Sequence, residues 1–134
     1  MGTAPPVVAV LDDEPEMLKA IRRLLSSRGY RVEEFERGED FLAALNSHAP
    51  DCLLLDLHMP GINGFDVLEA LCSRQICIPV IVVTAHDEPG TAERVRALGA
   101  FAYLKKPVDR DALLAAIDAS KSITKAQSSP GDRT

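Results

Sequence analysis

The stretch that most limits what this chain can become is Cys52-Leu53-Leu54-Leu55, an apolar run that stops at Asp56. A strand with one face in water alternates apolar and polar residues, whereas an unbroken apolar run suits a strand covered on both faces. Strands of that kind belong to parallel sheets with crossover helices above and below. A carboxylate at the end of such a strand, followed by the turn residues Met59-Pro60-Gly61 and Asn63-Gly64, falls where open parallel sheets place their chemistry. Alone, Asp56 is an ordinary polar strand end; its weight comes from repetition.

The layout recurs along the chain. Val7 to Leu11 is apolar and ends at Asp12-Asp13-Glu14, Ile78 to Thr84 is mostly β-branched and ends at Thr84-Ala85, and Ala100 to Leu104 ends at Lys105-Lys106-Pro107. Arg31 to Phe35 carries two glutamates and reads as an edge strand. Helical spacing fills the intervals. Pro15 suits a first turn, with Leu18, Ile21, Leu24 and Leu25 behind it and Gly29 as terminator, giving a helix over Pro15 to Arg28. A second helix is expected from Glu39 to Ser47. A third presents Phe65, Leu68, Leu71 and Cys72 on one face, and a short polar fourth covers Glu93 to Leu98 before Gly99. A last helix is capped by Asp109, with Leu113, Leu114 and Ile117 as its core face.

Five strands alternating with five helices predict an α/β fold, a parallel sheet with helices on both faces. With 134 residues the chain has room for one core, expected over residues 7–120, with a flexible lead over 1–6 and a flexible polar tail over 121–134. The net charge of −5 and the scattered Lys and Arg residues argue against a direct nucleic-acid partner. No apolar run approaches the roughly 18 residues of a membrane span, and the amino terminus lacks a signal-peptide layout, so a cytoplasmic protein without a membrane partner is expected. Cys52, Cys72 and Cys77 have no metal-ligand spacing and read as reduced core residues.

In a parallel sheet the carboxyl ends of the strands share one edge. This chain would gather there Asp12 and Asp13, Asp56, Thr84 and Lys106. Each residue alone is more often a strand cap than a ligand, but acids, a hydroxyl and an ammonium supplied by separate strand ends form a coherent set. Crowded carboxylates repel unless a cation neutralises them, and an all-oxygen site suits Mg²⁺. A carboxylate beside that ion can attack phosphorus, and the Thr84 hydroxyl, the Ala85 backbone N–H and the Lys106 ammonium could meet the charge of a transferring phosphoryl group.

With these motifs in view, the chain resembles the receiver domains of two-component response regulators. The likeness rests on Asp12-Asp13, on Asp56-Leu57-His58-Met59-Pro60-Gly61 with Asn63-Gly64, on Thr84-Ala85, and on Tyr103-Leu104-Lys105-Lys106-Pro107. It implies a flavodoxin-like, chemotaxis-Y-like fold with strand order 2-1-3-4-5 and a cis Lys106–Pro107 bond. It implies Asp56 as phosphoacceptor, and Mg²⁺ held directly by Asp13, Asp56 and the His58 carbonyl and through water by Asp12. Lys106, directly before Pro107, takes the lysine role, and Thr84 and Tyr103 form a switch pair linking phosphorylation to the surface of the fourth helix and fifth strand. The donor would be a histidine kinase or histidine phosphotransfer protein, the output a protein contact, with a phosphorylation-dependent dimer as one form of it. His58 and His86, two residues after Asp56 and Thr84, would flank the mouth of the site and modulate the lifetime of the phosphoryl group.

A stand-alone receiver is the leading expectation, because the polar tail contains no helix-turn-helix. The alternative is the receiver half of a longer DNA-binding regulator. An aspartyl-phosphate phosphatase is a third reading. Such enzymes need a second acid two residues after the nucleophile; Glu14 stands so to Asp12, but the Thr or Val expected beyond is absent, and His58 is no acid.

Overall fold

The computed structural model describes residues 5–127, of which 122–127 are described by their backbone alone. In chain order it contains β1 (Val7–Leu11), α1 (Pro15–Ser26), β2 (Arg31–Phe35), α2 (Gly38–Ala44), β3 (Cys52–Asp56), α3 (Gly64–Ser73), β4 (Val80–Thr84), α4 (Thr91–Ala97), β5 (Ala102–Lys105) and α5 (Arg110–Gln127). The strands are all parallel and ordered β2-β1-β3-β4-β5, as the resemblance implied. β2, with its two glutamates, stands at an edge.

The apolar runs are continuous because successive side chains serve opposite faces. Ala9, Leu11, Leu53, Leu55, Val80 and Val82 pack with α2, α3 and α4. Val8, Val10, Leu54, Ile81 and Val83 pack with α1 and α5 through Leu18, Ile21, Leu25, Leu113 and Ile117. Every residue of β3 and β4 is buried. Period-two burial on both faces leaves no place for a polar residue inside these strands, so polar groups appear only where the strands end. Register then aligns those ends: Leu11 pairs with Leu55, Asp56 with Val83, and Thr84 with Lys105.

Several expectations are corrected. β4 starts at Val80, not Ile78, because Pro79 has no N–H and joins the sheet only as an acceptor for Leu53 N–H at 2.9 Å. β5 starts at Ala102, not Ala100. Gly99 takes φ +101° and Ala100 donates its N–H to the Val95 carbonyl at 2.9 Å, so both residues close α4 instead of opening a strand. The polar tail expected from residue 121 is helical to Gln127, since no Pro or Gly interrupts the sequence before Pro130 and its Lys, Ala and Gln residues tolerate a helix. Residues 128–134 of that tail, and 1–4 of the lead, lie outside the described residues, while the Pro6 carbonyl already accepts Arg31 N–H at 2.9 Å. Of the cysteines only Cys52 is a core residue; Cys72 and Cys77 are exposed. The core face of α3 is Val67, Leu68 and Leu71, which turns Cys72 out to donate its thiol to the Leu98 carbonyl at 3.3 Å, with Phe65 half-buried. No helix among the described residues is long and apolar enough to cross a membrane.

Candidate functional site

The strand ends bring the expected residues to one place. Asp12, Asp13 and Asp56 offer carboxylate oxygens that all lie within 4.8 Å of one another. Asp12 and Asp56 are 3% and 5% exposed, Asp13 half-buried and open to solvent. Tethers fix the two buried acids. Asp12 Oδ1 accepts the Glu14 N–H at 2.9 Å, and the Asp12 N–H is held by the Phe35 carbonyl at 3.0 Å. Asp56 is the last residue of β3, with Leu57 fully buried behind it.

Gly64 is part of that support. A Cβ there would lie 2.6 Å from the Asp56 carbonyl oxygen and 2.7 Å from Leu57 Cα, both backbone atoms, so only glycine lets the start of α3 rest against the loop that carries Asp56. The Asn63 side chain accepts Asp66 N–H, and Asp66 accepts Asn63 N–H, each at 3.0 Å, which closes that helix start.

Lys106 reaches over the acids. Its Nζ lies 2.9 Å from Asp12 Oδ2, 2.9 Å from Glu14 Oε1 and 3.9 Å from Asp56 Oδ1. Burial opposes the ammonium charge, but the hydrogen bonds to Asp12 and Glu14 and the field of Asp56 prevail, and its pKa is raised. Burial, with the Asp12 charge added, lifts the Asp56 carboxyl to about 6, against the opposing pull of Lys106. Lys105 turns the other way, to Asp87 at 3.5 Å on the surface. Lys106, the lysine that the family resemblance implied, is thus the one that lies against the acids, and the Lys106–Pro107 bond is cis.

Thr84 is fully buried at the end of β4; its hydroxyl oxygen accepts His86 N–H at 3.1 Å, and its carbonyl accepts Lys106 N–H at 2.8 Å. Ala85 follows it, exposed. His58 and His86 are both exposed, and their rings meet edge to face with centroids 4.3 Å apart. They bridge the loops after β3 and β4, beside a cavity of about 260 Å³ lined by His58, Phe65, Pro89, Thr91 and Arg94 among others. Tyr103 is half-buried, with its hydroxyl donating to Asp87 Oδ1 at 2.7 Å. Burial and that carboxylate push the phenol up to about 12, and the same bond holds the Asp87 carboxyl below its usual range.

Three contacts escaped the sequence reading. In the sequence Glu14 is one of the acids that close the first strand and a second acid to Asp12, yet it holds Lys106. Asp87, the partner of Tyr103, sits in a loop run of Asp and Glu where no periodicity marks one acid from another. Arg94 of α4 stacks over Phe65 of α3 at 3.9 Å, a pairing between helices that only packing reveals.

As chemistry, the arrangement is a buried carboxylate and two companions facing one lysine, with excess negative charge and oxygen donors only. Such a set fits a hard divalent cation. A larger cavity of about 550 Å³ lies between α3 and α4 at the opposite edge of the sheet, lined by residues such as Leu71, Val80 and Leu98, and takes no part in this site.

The family described as response regulator receiver domain matches residues 8–118. The chain is 37% identical to the DNA-binding transcriptional regulator NtrC of Salmonella typhimurium over 92% of its own length and 26% of that protein. It is 40% identical to the transcriptional regulatory protein KdpE of Mycobacterium tuberculosis, over 85% of this chain and 50% of that one. The chain thus spans about a quarter of the length of the NtrC relatives it matches. Among solved structures, the Vibrio cholerae chemotaxis protein CheY4 superposes with a TM-score of 0.79 at 26% identity, covering 87% of this chain and 99% of that one. The response regulator StyR superposes with a TM-score of 0.84 at 32% identity, over 96% and 65% of the two chains.

Proposed function

The chain belongs to the response regulator receiver domain family, and on that premise we propose that Asp56 accepts a phosphoryl group from a histidine kinase or histidine phosphotransfer protein. The observation that carries this reading is the placement of Asp56: 5% exposed, at the end of a wholly buried strand, among acids and 3.9 Å from the Lys106 ammonium. A receiver domain is a phosphorylation-responsive switch, and the residues here have parts in that switch.

One Asp56 oxygen attacks phosphorus, the P–N bond of the donor breaks, and the donor imidazole keeps the electron pair. Negative charge on the phosphoryl oxygens is met by the Thr84 hydroxyl, the Ala85 N–H and Lys106, donors carried by the ends of β4 and β5. Asp12, Asp13, Asp56 and the His58 carbonyl would hold Mg²⁺, which when bound supplies charge neutralisation between acceptor and donor. With the phosphoryl group present, the Thr84 hydroxyl turns toward it and leaves space for the Tyr103 ring, coupling the site to α4 and β5. His58 and His86, stacked at the mouth, regulate the approach of water and hence the lifetime of the phosphoryl group.

Mass spectrometry after treatment with acetyl phosphate and Mg²⁺ tests the acceptor. One phosphoryl group is expected on wild type, none on Asp56→Asn, and slow labelling with weakened Mg²⁺ binding for Asp13→Ala. Undiminished labelling of the Asn variant would remove Asp56 from the mechanism.

The relatives support a second reading of the output. NtrC is named as a DNA-binding regulator and is about four times as long as the matched segment, so the same switch joined to a DNA-binding region would deliver phosphorylation to DNA instead of to a separate protein. A reading frame that continues past Thr134 into such a region would carry that reading.

A further inference from the structure

We propose that Glu14 is a holding partner for Lys106: a positioning residue that competes with the phosphoryl group for the same ammonium and so slows phosphorylation of Asp56. The proposal rests on the acceptor reading above, in which Lys106 serves the phosphoryl oxygens.

Lys106 has three N–H donors, and two of them are committed at 2.9 Å, to Asp12 and to Glu14. Asp56 Oδ1, at 3.9 Å, lies outside hydrogen-bond distance. Serving a group on Asp56 therefore requires the ammonium to move toward it and away from at least one present partner. The partners are unlike. Asp12 is buried among the acids that suit a cation, so its carboxylate is shared once a cation is there. Glu14 stands outside that cluster, its side chain 62% exposed, and reaches Lys106 from the opposite end of the chain, 92 residues away in sequence.

Nothing else explains the position of this carboxylate. Glu14 occupies the residue before α1, where a capping side chain would accept a helix N–H, and it makes no such bond. Its backbone N–H is held by Asp12 Oδ1, the carboxylate whose other oxygen accepts from the same Lys106 ammonium. With Asp12 shared between a cation and the ammonium, Glu14 would be the contact outside the acid cluster that draws Lys106 off Asp56.

The ion pair is partly exposed, so the expected effect is modest. Glu14→Gln, which keeps shape and removes charge, should raise the initial rate of phosphorylation by acetyl phosphate and Mg²⁺ by about two- to fivefold. Glu14→Asp, shorter by one methylene, should fall between the two. A lost negative charge could also speed the approach of an anionic donor, so the same change is made in a Lys106→Met background. There Glu14→Gln should have no effect, since the residue it acts through is gone. In the cation-free protein, the Lys106 side-chain amine signals should exchange faster with water in Glu14→Gln than in wild type. Equal rates for wild type and Glu14→Gln, or an acceleration that persists without Lys106, would overturn the inference while leaving the acceptor reading intact. If wild type takes no label at all the acceptor reading fails, and unchanged Lys106 exchange would then dispose of the inference separately.

Discussion

The two halves of the sheet's carboxyl edge are built differently. β3 and β4 are buried at every position, β1 at four of five, and the acids stand at the ends of β1 and β3. Opposite them, β5 is half-buried and exposed at its end, and α4 buries Val95 alone. β5 is held by its backbone ladder to β4, but the side-chain contacts of α4 and β5 beyond that residue are half-buried or at the surface: Arg94 over Phe65, Tyr103 on Asp87, Lys105 near Asp87. Surface pairs of this kind are worth about 0–1 kcal/mol each. A buried acid can keep a raised pKa only where the frame does not yield to admit water. An element held by a few weak contacts can be shifted by a local change of charge, and low stability is where moving elements are found. On the proposed reading, one half would hold the chemistry still and the other would answer it.

Core truncation should separate the halves most clearly. Leu55→Ala in β3, at a fully buried position, is expected to cost about 2–5 kcal/mol of global stability by urea unfolding. Val95→Ala, although also fully buried, should cost about 1–2 kcal/mol and appear first as faster amide exchange within α4. Equal global losses would mean that α4 is as firmly built in as β3.

Next in size is the charge on Asp56. Its folded pKa of about 6 lies above the ordinary value of 3.8, so ionisation works against folding. Below about pH 4 the carboxyl is protonated in folded and unfolded chains alike and has no effect. As pH rises through about 6 the folded state loses up to about 3 kcal/mol relative to a neutral group. Asp56→Asn should therefore stabilise the cation-free protein near pH 7.5, with the gain fading to nothing near pH 4. A gain that is constant with pH would show that burial does not strain this carboxylate.

The smallest effect concerns the histidines, where the halves touch: His58 follows the acid strand and His86 begins the loop toward α4. Decay of phosphorylated protein at one fixed pH is expected to change by about a few-fold in a His58→Asn, His86→Ala double variant. Matching decay rates would make the pair bystanders.

Sequence patterns revealed the first half far better than the second, for a physical reason. Uniform apolarity is required of a strand buried on both faces, so β1, β3 and β4 and the acids at their ends could be read from the chain. Which lysine faces the acids came from the family resemblance, which puts the lysine beside Pro107 there, and not from the pattern of the chain itself. Exposed polar segments carry no such requirement. Nothing in Asp87-Glu88-Pro89-Gly90 distinguishes the acid that receives Tyr103, and nothing in Asp12-Asp13-Glu14 marks the third acid as the one that only packing brings to Lys106. Element ends failed where local chemistry overrode apolarity, at Pro79 and at Gly99-Ala100, and α5 outran its apolar pattern because helix propensity needs no core.

Amide hydrogen exchange with and without beryllofluoride and Mg²⁺ tests the contrast directly. Protection of Val8 to Leu11 and Leu53 to Leu55 should stay the same, while that of Thr91 to Tyr103 changes. Unaltered exchange across α4 and β5, or a change spread evenly over the sheet, would contradict a fixed acid frame with a responsive flank.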